Sequence, residues 1–240
     1  MVGQYKEVRV LRIIGLIGGM SWESSSEYYR RVNMEVKRRL GSPHSCHCVL
    51  YSVEFARMQT LQHAGHWDTL AETMIDAAHS LERAGAQCIV ICSNTMHQLV
   101  PDLEQAISLP ILHIGDAAAQ FLRGIDAETV GLLGTRFTME RPFLRQRLES
   151  HGLRVKVPSE QQRHMVHRVI YEELVDGRFL EDSRRQFQAV IADLATAGCQ
   201  AVILGCTEIP LLIKPEDSCL PIVDTTGVHA RAAVEWALSE

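Results

Sequence analysis

Apolar residues along the chain fall into short continuous runs, separated by longer stretches in which they recur every three or four positions. Eight runs stand out: RIIGLIG (12–18), CVLYSV (48–53), QCIVIC (87–92), PILHI (110–114), TVGLLG (129–134), RVKV (154–157), QAVILG (200–205) and PIVD (221–224). Short β-branched runs bounded by Gly, Pro or polar turns predict buried strands. The stretches between most of them have helical spacing. Strands alternating with helices predict βαβ units and parallel sheets.

The pattern repeats. IGLIGG (14–19) matches VGLLGT (130–135), LERAGAQCIVICSNT (81–95) matches LATAGCQAVILGCTE (194–208), and LPILH (109–113) matches LPIVD (220–224). Three matches in the same order at nearly one offset predict an α/β protein of two pseudo-symmetric Rossmann-like halves. Each half is expected to hold a four-stranded parallel sheet flanked by helices, with the active site in the cleft between them. Residues 1–110 with 225–240 are assigned to the first half and 111–224 to the second. Alternation along a strand puts Ile89, Ile91 and Ser93 on one side, and Val202, Leu204 and Cys206 on the equivalent side. Ser93 and Cys206 are therefore equivalent positions just past the carboxyl ends of strands, where parallel α/β sheets bind ligands.

Composition narrows the function. The 240 residues are 46% hydrophobic and 22% charged, with a net charge of −5, ordinary for a soluble domain and without the basic footprint of a nucleic-acid binder. No apolar run is long enough to cross a bilayer. MVGQYKEVRV (1–10) lacks the apolar stretch of a leader, so a cytoplasmic protein is expected. Seven cysteines read as free thiols rather than a disulfide framework. HSCHC (44–48) carries metal-ligand residue types, but too crowded for the usual zinc spacings and running into a strand, so no metal is expected. Cys92 points away from the Ser93 side and reads as a packed thiol.

Two acid/base groups on opposite sides of one carbon suit inversion, one removing the α-proton and the other supplying a proton to the opposite face. A thiol near a helix N-terminus can serve because its pKa is lowered there. Both turns are expected to lead into helices, whose backbone N–H groups at Asn94, Thr95, Thr207 and Glu208 would hold a substrate carboxylate.

The opening GLIGGMSW (15–22), SNTMH (93–97), GTRFTME (134–140), GCTEI (205–209) and DTTGVHA (224–230) together resemble the aspartate/glutamate racemase superfamily, with its aspartate-racemase branch and broad-specificity amino-acid racemases nearest. The resemblance covers nearly the whole chain. It implies a racemase that needs no pyridoxal phosphate, metal or other cofactor, acts on a small amino acid or dicarboxylate, and forms a homodimer. Cys206 then matches the second catalytic thiol, facing the proton of the L-enantiomer, and Ser93 stands where the first thiol is usual. Ser21, Thr135 and Thr138 would line the pocket. Arg57 matches a carboxylate-binding arginine of aspartate racemases. The family's lysine is absent from QRHMVHR (162–168), leaving Arg163, His164 or His167 as substitutes, and His97 either orients substrate or sits on a helix surface.

Rival expectations are a single-thiol isomerase or decarboxylase of small dicarboxylates on the same fold, and an amino-acid-binding protein without catalysis. A dinucleotide enzyme fits poorly: GLIGGM is not G-x-G-x-x-G, and the second strand ends without an acidic residue, Glu54 lying just after it.

Overall fold

The computed structural model describes residues 11–239, so the expectation about a leader at residues 1–10 lies outside the described residues. Strands β1 (Ile14–Gly18), β2 (Cys48–Ser52) and β3 (Cys88–Ile91) form a parallel sheet in the order β2-β1-β3. Strands β4 (Thr129–Gly134), β5 (Arg154–Lys156), β6 (Ala201–Gly205) and β7 (Ile222–Asp224) form a second, in the order β5-β4-β6-β7. The repeat read from the sequence is a repeat of register: Gly15 lies opposite Ile89 in the first sheet as Gly131 lies opposite Val202 in the second.

The first sheet has three strands, not four. PILHI makes a single parallel bridge, Ile89 to Ile111, with Ile89 N–H donating to Pro110 O and Leu112 N–H to Ile89 O. The run ends early because the His113 ring accepts from Gly115 N–H and starts a helix at Ile114. Ile114 is buried and Ile111 and Leu112 are partly so, but the extended pairing expected of the run is not formed.

Helices sandwich each sheet. Helix α1 (Trp22–Leu40) is followed by α2 (Phe55–Ala64), α3 (Trp67–Arg83), α4 (Val100–Ala106) and α5 (Ile114–Arg123). After β4 come α6 (Arg136–Glu140), α7 (Pro142–Glu149), α8 (Glu160–Val169), α9 (Glu181–Thr196), α10 (Ile209–Leu212) and α11 (Thr225–Leu238). Leu70, Met74, Ala77 and Leu81 of α3 cover one face of the first sheet. Tyr28, Val32 and Val36 of α1, with Ala230, Ala233 and Val234 of α11, cover the other. The final helix thus returns to the first sheet. In the second half α8 and α9 lie on one face and α5 and α7 on the other. Among the described residues no helix is long and apolar enough to cross a membrane.

Candidate active site

The two equivalent turns meet at one cavity of about 60 Å³, with Ser93, Asn94 and Thr95 on one wall and Gly205, Cys206, Thr207 and Glu208 on another. A water needs roughly 10–15 Å³ by the same measure, so the space suits a small molecule and not a dinucleotide. Gly205 is required here: a Cβ would meet Leu133 O at 2.9 Å and Thr138 Cγ2 at 3.1 Å.

The Ser93 turn is held by neutral groups. A 3₁₀ turn (Thr95–Leu99) follows it instead of a full helix. His97 Nδ1–H donates to Ser93 O at 2.7 Å, and His97 Nε2 accepts from Ile114 N–H at 3.1 Å. A carbonyl only accepts and an amide N–H only donates, so one neutral tautomer satisfies both. Burial, then the neighbouring His113, push the His97 pKa well down. His97 is therefore a buried brace between the turn and α5, neither a substrate ligand nor a surface residue.

Asn94 is fixed with equal definition. Thr225 O–H donates to Leu204 O at 2.8 Å, so Thr225 Oγ1 can only accept from Asn94, whose Nδ2 lies 3.0 Å away. That leaves the buried Asn94 Oδ1 without a partner among the described residues. The side chain thus offers an acceptor, which suits an ammonium; a carboxylate requires the backbone N–H groups. Thr95, Thr135 and Thr138 join hydroxyls at 3.3–3.4 Å. Thr135 lines the cavity, and Thr138 is fully buried behind it.

The Cys206 turn is built on a carboxylate. Glu208, buried, accepts from Ser21 O–H at 3.1 Å, Cys206 S–H at 2.9 Å and Thr207 O–H at 2.7 Å. Burial first, then the charge and hydrogen bond of Glu208, push the Cys206 thiol well up; backbone N–H groups of Glu208 and Thr207 oppose this more weakly. The sequence predicted a lowered thiol pKa. The following helix, α10, has four residues, too short for a strong dipole, and the carboxylate two positions on outweighs it. The Glu208 side chain was missed because the motif suggested only its backbone N–H.

The remaining wall comes from outside the repeat. Helix α2 contributes Phe55, Met58 and Gln62, and the π-helical turn Ile170–Leu174 after α8, with the residue beyond it, contributes Ile170, Tyr171 and Val175; Met20 and Met96 complete it. Burial, then the negative charges possible at Cys206 and Glu208, push the Tyr171 pKa up to about 12, with the Gln62 amide opposing weakly. Met20 and Met96 fall inside quoted motifs, but no sequence motif marks the α2 and Ile170–Val175 residues, because each is one position on an ordinary helix face.

The expected cations do not reach the cavity. Arg57 is exposed on α2, whose inward face is carried by Met58 and Gln62 at i and i+4. Arg163 pairs with Glu140 at 3.0 Å, His164 is exposed, and His167 accepts from Arg136 N–H. Ser21 does line the cavity, as N-cap of α1. Cys92 is a buried core thiol. Among the described residues no three His, Cys, Asp or Glu side chains come together as metal ligands.

Comparison with known proteins agrees with this architecture. The profile of the Asp/Glu/hydantoin racemase family matches residues 17–233. A Yersinia pestis crystal structure assigned as an Asp/Glu racemase is 48% identical, with 95% of this chain and all of that one covered and a TM-score of 0.90. An aspartate racemase homologue from Pyrococcus horikoshii OT3 is 32% identical over 95% of this chain and all of that one, with a TM-score of 0.83. The broad-specificity amino-acid racemase RacX of Bacillus subtilis is 22% identical over 95% of this chain and 99% of its own length. Sheet register, paired turns and family match agree: the chain belongs to the Asp/Glu/hydantoin racemase family of isomerases.

Proposed function

We propose that the chain racemises a free amino acid by proton transfer at Cα, with Cys206 acting on one face and Ser93 on the other. The observation that carries this is the convergence of two equivalent turns on one small cavity, one bearing a thiol already bonded to a carboxylate. Glu208 takes the thiol proton, the thiolate of Cys206 removes the α-proton, and a proton arrives on the opposite face from Ser93 O–H or a water it holds. One Cα–H bond breaks and one forms. Solvent takes the proton held by Glu208 and returns the one that the Ser93 side has given, and Cys206 ends as the thiol. The substrate carboxylate lies against the backbone N–H groups of Asn94, Thr95 and Thr207, and its ammonium against Asn94 Oδ1. No cofactor takes part. A homodimer in the cytoplasm belongs to the same reading, and light scattering checks the dimer.

L and D enantiomers have equal free energies in water, so kcat/KM is the same in both directions whatever the inequality of the two acid/base groups. A weak Ser93 slows both. The test is chiral chromatography of amino acids incubated with the enzyme and with a Cys206→Ala variant. Inversion lost in the variant supports the reading, and inversion that survives unchanged contradicts it.

One observation favours a second reading. No carboxylate, imidazole or amine is hydrogen-bonded to Ser93 Oγ among the described residues. An unassisted hydroxyl is a poor base, which suits a single-thiol enzyme that exchanges or delivers a proton on one face. Solvent deuterium at Cα with retained configuration would establish it.

A further inference from the structure

The cavity's charge inventory is one-sided. Its lining contains no Lys, Arg or His; Cys206, Tyr171 and Glu208 are its ionisable side chains, all of which become negative on losing a proton. Glu208 has three hydroxyl or thiol donors and no cation as partner.

The cations on the surrounding elements are engaged elsewhere or face outward. On α2, Arg57 is exposed and the His63 ring lies 5.5 Å from that of Tyr171, on a separate groove. On α8, Arg163 pairs with Glu140, and Arg168 approaches Glu172 and Glu173 at 3.6 Å. His167 packs on the outer side of Tyr171 and accepts from Arg136 N–H. The guanidinium of Arg141 lies over the Trp67 ring at 4.2 Å and donates to Gln98.

The lining contributed from outside the two turns is instead largely apolar, with Phe55, Met58, Ile170 and Val175, and with Gln62 and Tyr171 as its polar side chains. A zwitterion's own charges can be met at the turns: backbone N–H groups and threonine hydroxyls for its carboxylate, Asn94 Oδ1 and Glu208 for its ammonium. A second carboxylate has nothing left to meet it. It would be desolvated beside Glu208, and beside the Cys206 thiolate during reaction, with no countercharge. An apolar side chain loses water to Phe55, Met58, Ile170 and Val175, which is favourable.

We infer that this site takes amino acids with uncharged, mainly apolar side chains, of the methionine and leucine type, and rejects aspartate and glutamate. The inference rests on the racemase reading above and specifies its substrate class.

The test compares near-isosteric probes: methionine, leucine, glutamine, glutamate, asparagine, aspartate and lysine, each as L and D forms. Two readouts are taken, α-proton exchange in D₂O and ligand-induced thermal stabilisation. The expected result is kcat/KM for methionine or leucine at least about 100-fold above that for glutamate or aspartate, as expected when a charge is left unpaired. A Val175→Lys variant, which puts a cation on the half-buried cavity rim, is expected to narrow that ratio at least about tenfold in favour of glutamate. Aspartate, glutamate or lysine as best substrate of the wild type would overturn the inference. If no probe is turned over, the racemase reading fails separately, and the stabilisation series still decides: methionine stabilising more than glutamate keeps the assignment, and the reverse order overturns it.

Discussion

The Ser93 and Cys206 turns occupy equivalent places in the two halves but are assembled from different chemistry. The first is wired to its surroundings through neutral groups: His97 on the Ser93 carbonyl, Thr225 on the Asn94 amide, and a threonine cluster behind Thr95. The second has a buried carboxylate gathering three donors, one of them the thiol. Pseudo-symmetry of backbone therefore does not carry over to acid/base strength. One turn leaves an unpaired acceptor at Asn94 Oδ1, and the other a thiol hydrogen-bonded to a carboxylate. The residue before each functional side chain differs accordingly: Cys92 is packed into the core, whereas Gly205 is kept bare by β4 and Thr138.

The largest effect expected from this division is at Cys206. Cys206→Ala should lower α-proton exchange by about a thousandfold or more, the range for loss of a general base, with thermal stability checked alongside. A residual rate within tenfold of wild type would place the base elsewhere.

Glu208→Gln should come next. Removing the carboxylate removes both its charge and its hydrogen bond from the thiol, so the Cys206 pKa should fall. Iodoacetamide alkylation followed against pH should show its midpoint move down in the variant. Exchange at neutral pH should drop about 10- to 100-fold, because the thiol proton has lost its acceptor. An unmoved or raised midpoint would remove Glu208 from the proton-holding role.

Ser93 variants separate the two faces. Ser93→Ala should depress inversion more than it depresses exchange at the Cys206 face, and Ser93→Cys should raise inversion above wild type, since a thiol is a far stronger acid/base partner than a hydroxyl. Equal losses of both rates in Ser93→Ala would mean that Ser93 only shapes the cavity. A smaller change is expected from Thr225→Val, which frees the Asn94 amide: KM should rise about 2- to 10-fold, the scale of one hydrogen bond, with kcat little changed.

The smallest effect concerns acid stability of the Ser93 side. The His97 ring meets those of His113 and His229 edge-on, 4.7 and 5.5 Å away, behind that turn. Burial pushes His113 and His229 down to about 4, and His97 well below its ordinary value. The unfolded chain therefore binds more protons than the folded one between about pH 4 and the usual histidine value near 6.5. Stability is full above 6.5 and is lost as pH falls through that window. Calorimetric melts should show Tm falling by a few degrees per unit there; a flat profile would mean the ring cluster is not buried neutral.

Much of the fold was legible in the sequence because burial of parallel strands writes continuous apolar runs, and the two halves wrote the same ones twice. Seven of the eight predicted runs are strands, but β2 and β5, each at a sheet edge, are largely exposed and not buried as the pattern predicted. PILHI failed because a ring nitrogen of His113 ended it, a contact no hydropathy pattern encodes. In the site, Ser93, Asn94, Thr95, Cys206, Thr207 and Glu208 were legible as two turns of one repeat. Arg57 was misplaced by one position on a helix face. The apolar wall from Phe55 to Val175 was invisible, since a buried methionine facing a cavity has the same local pattern as one facing a core. The Cys206 pKa ran opposite to expectation because a side chain two residues away outweighed a four-residue helix.

The most direct measurement follows wild-type enzyme in D₂O with L-methionine and, separately, D-methionine, reading α-deuterium by NMR and configuration by chiral chromatography. Deuterium should enter as configuration inverts, with equal kcat/KM from either enantiomer, and both signals should vanish in Cys206→Ala. Deuterium entering one enantiomer alone with configuration retained would contradict two-sided transfer and leave Cys206 working by itself.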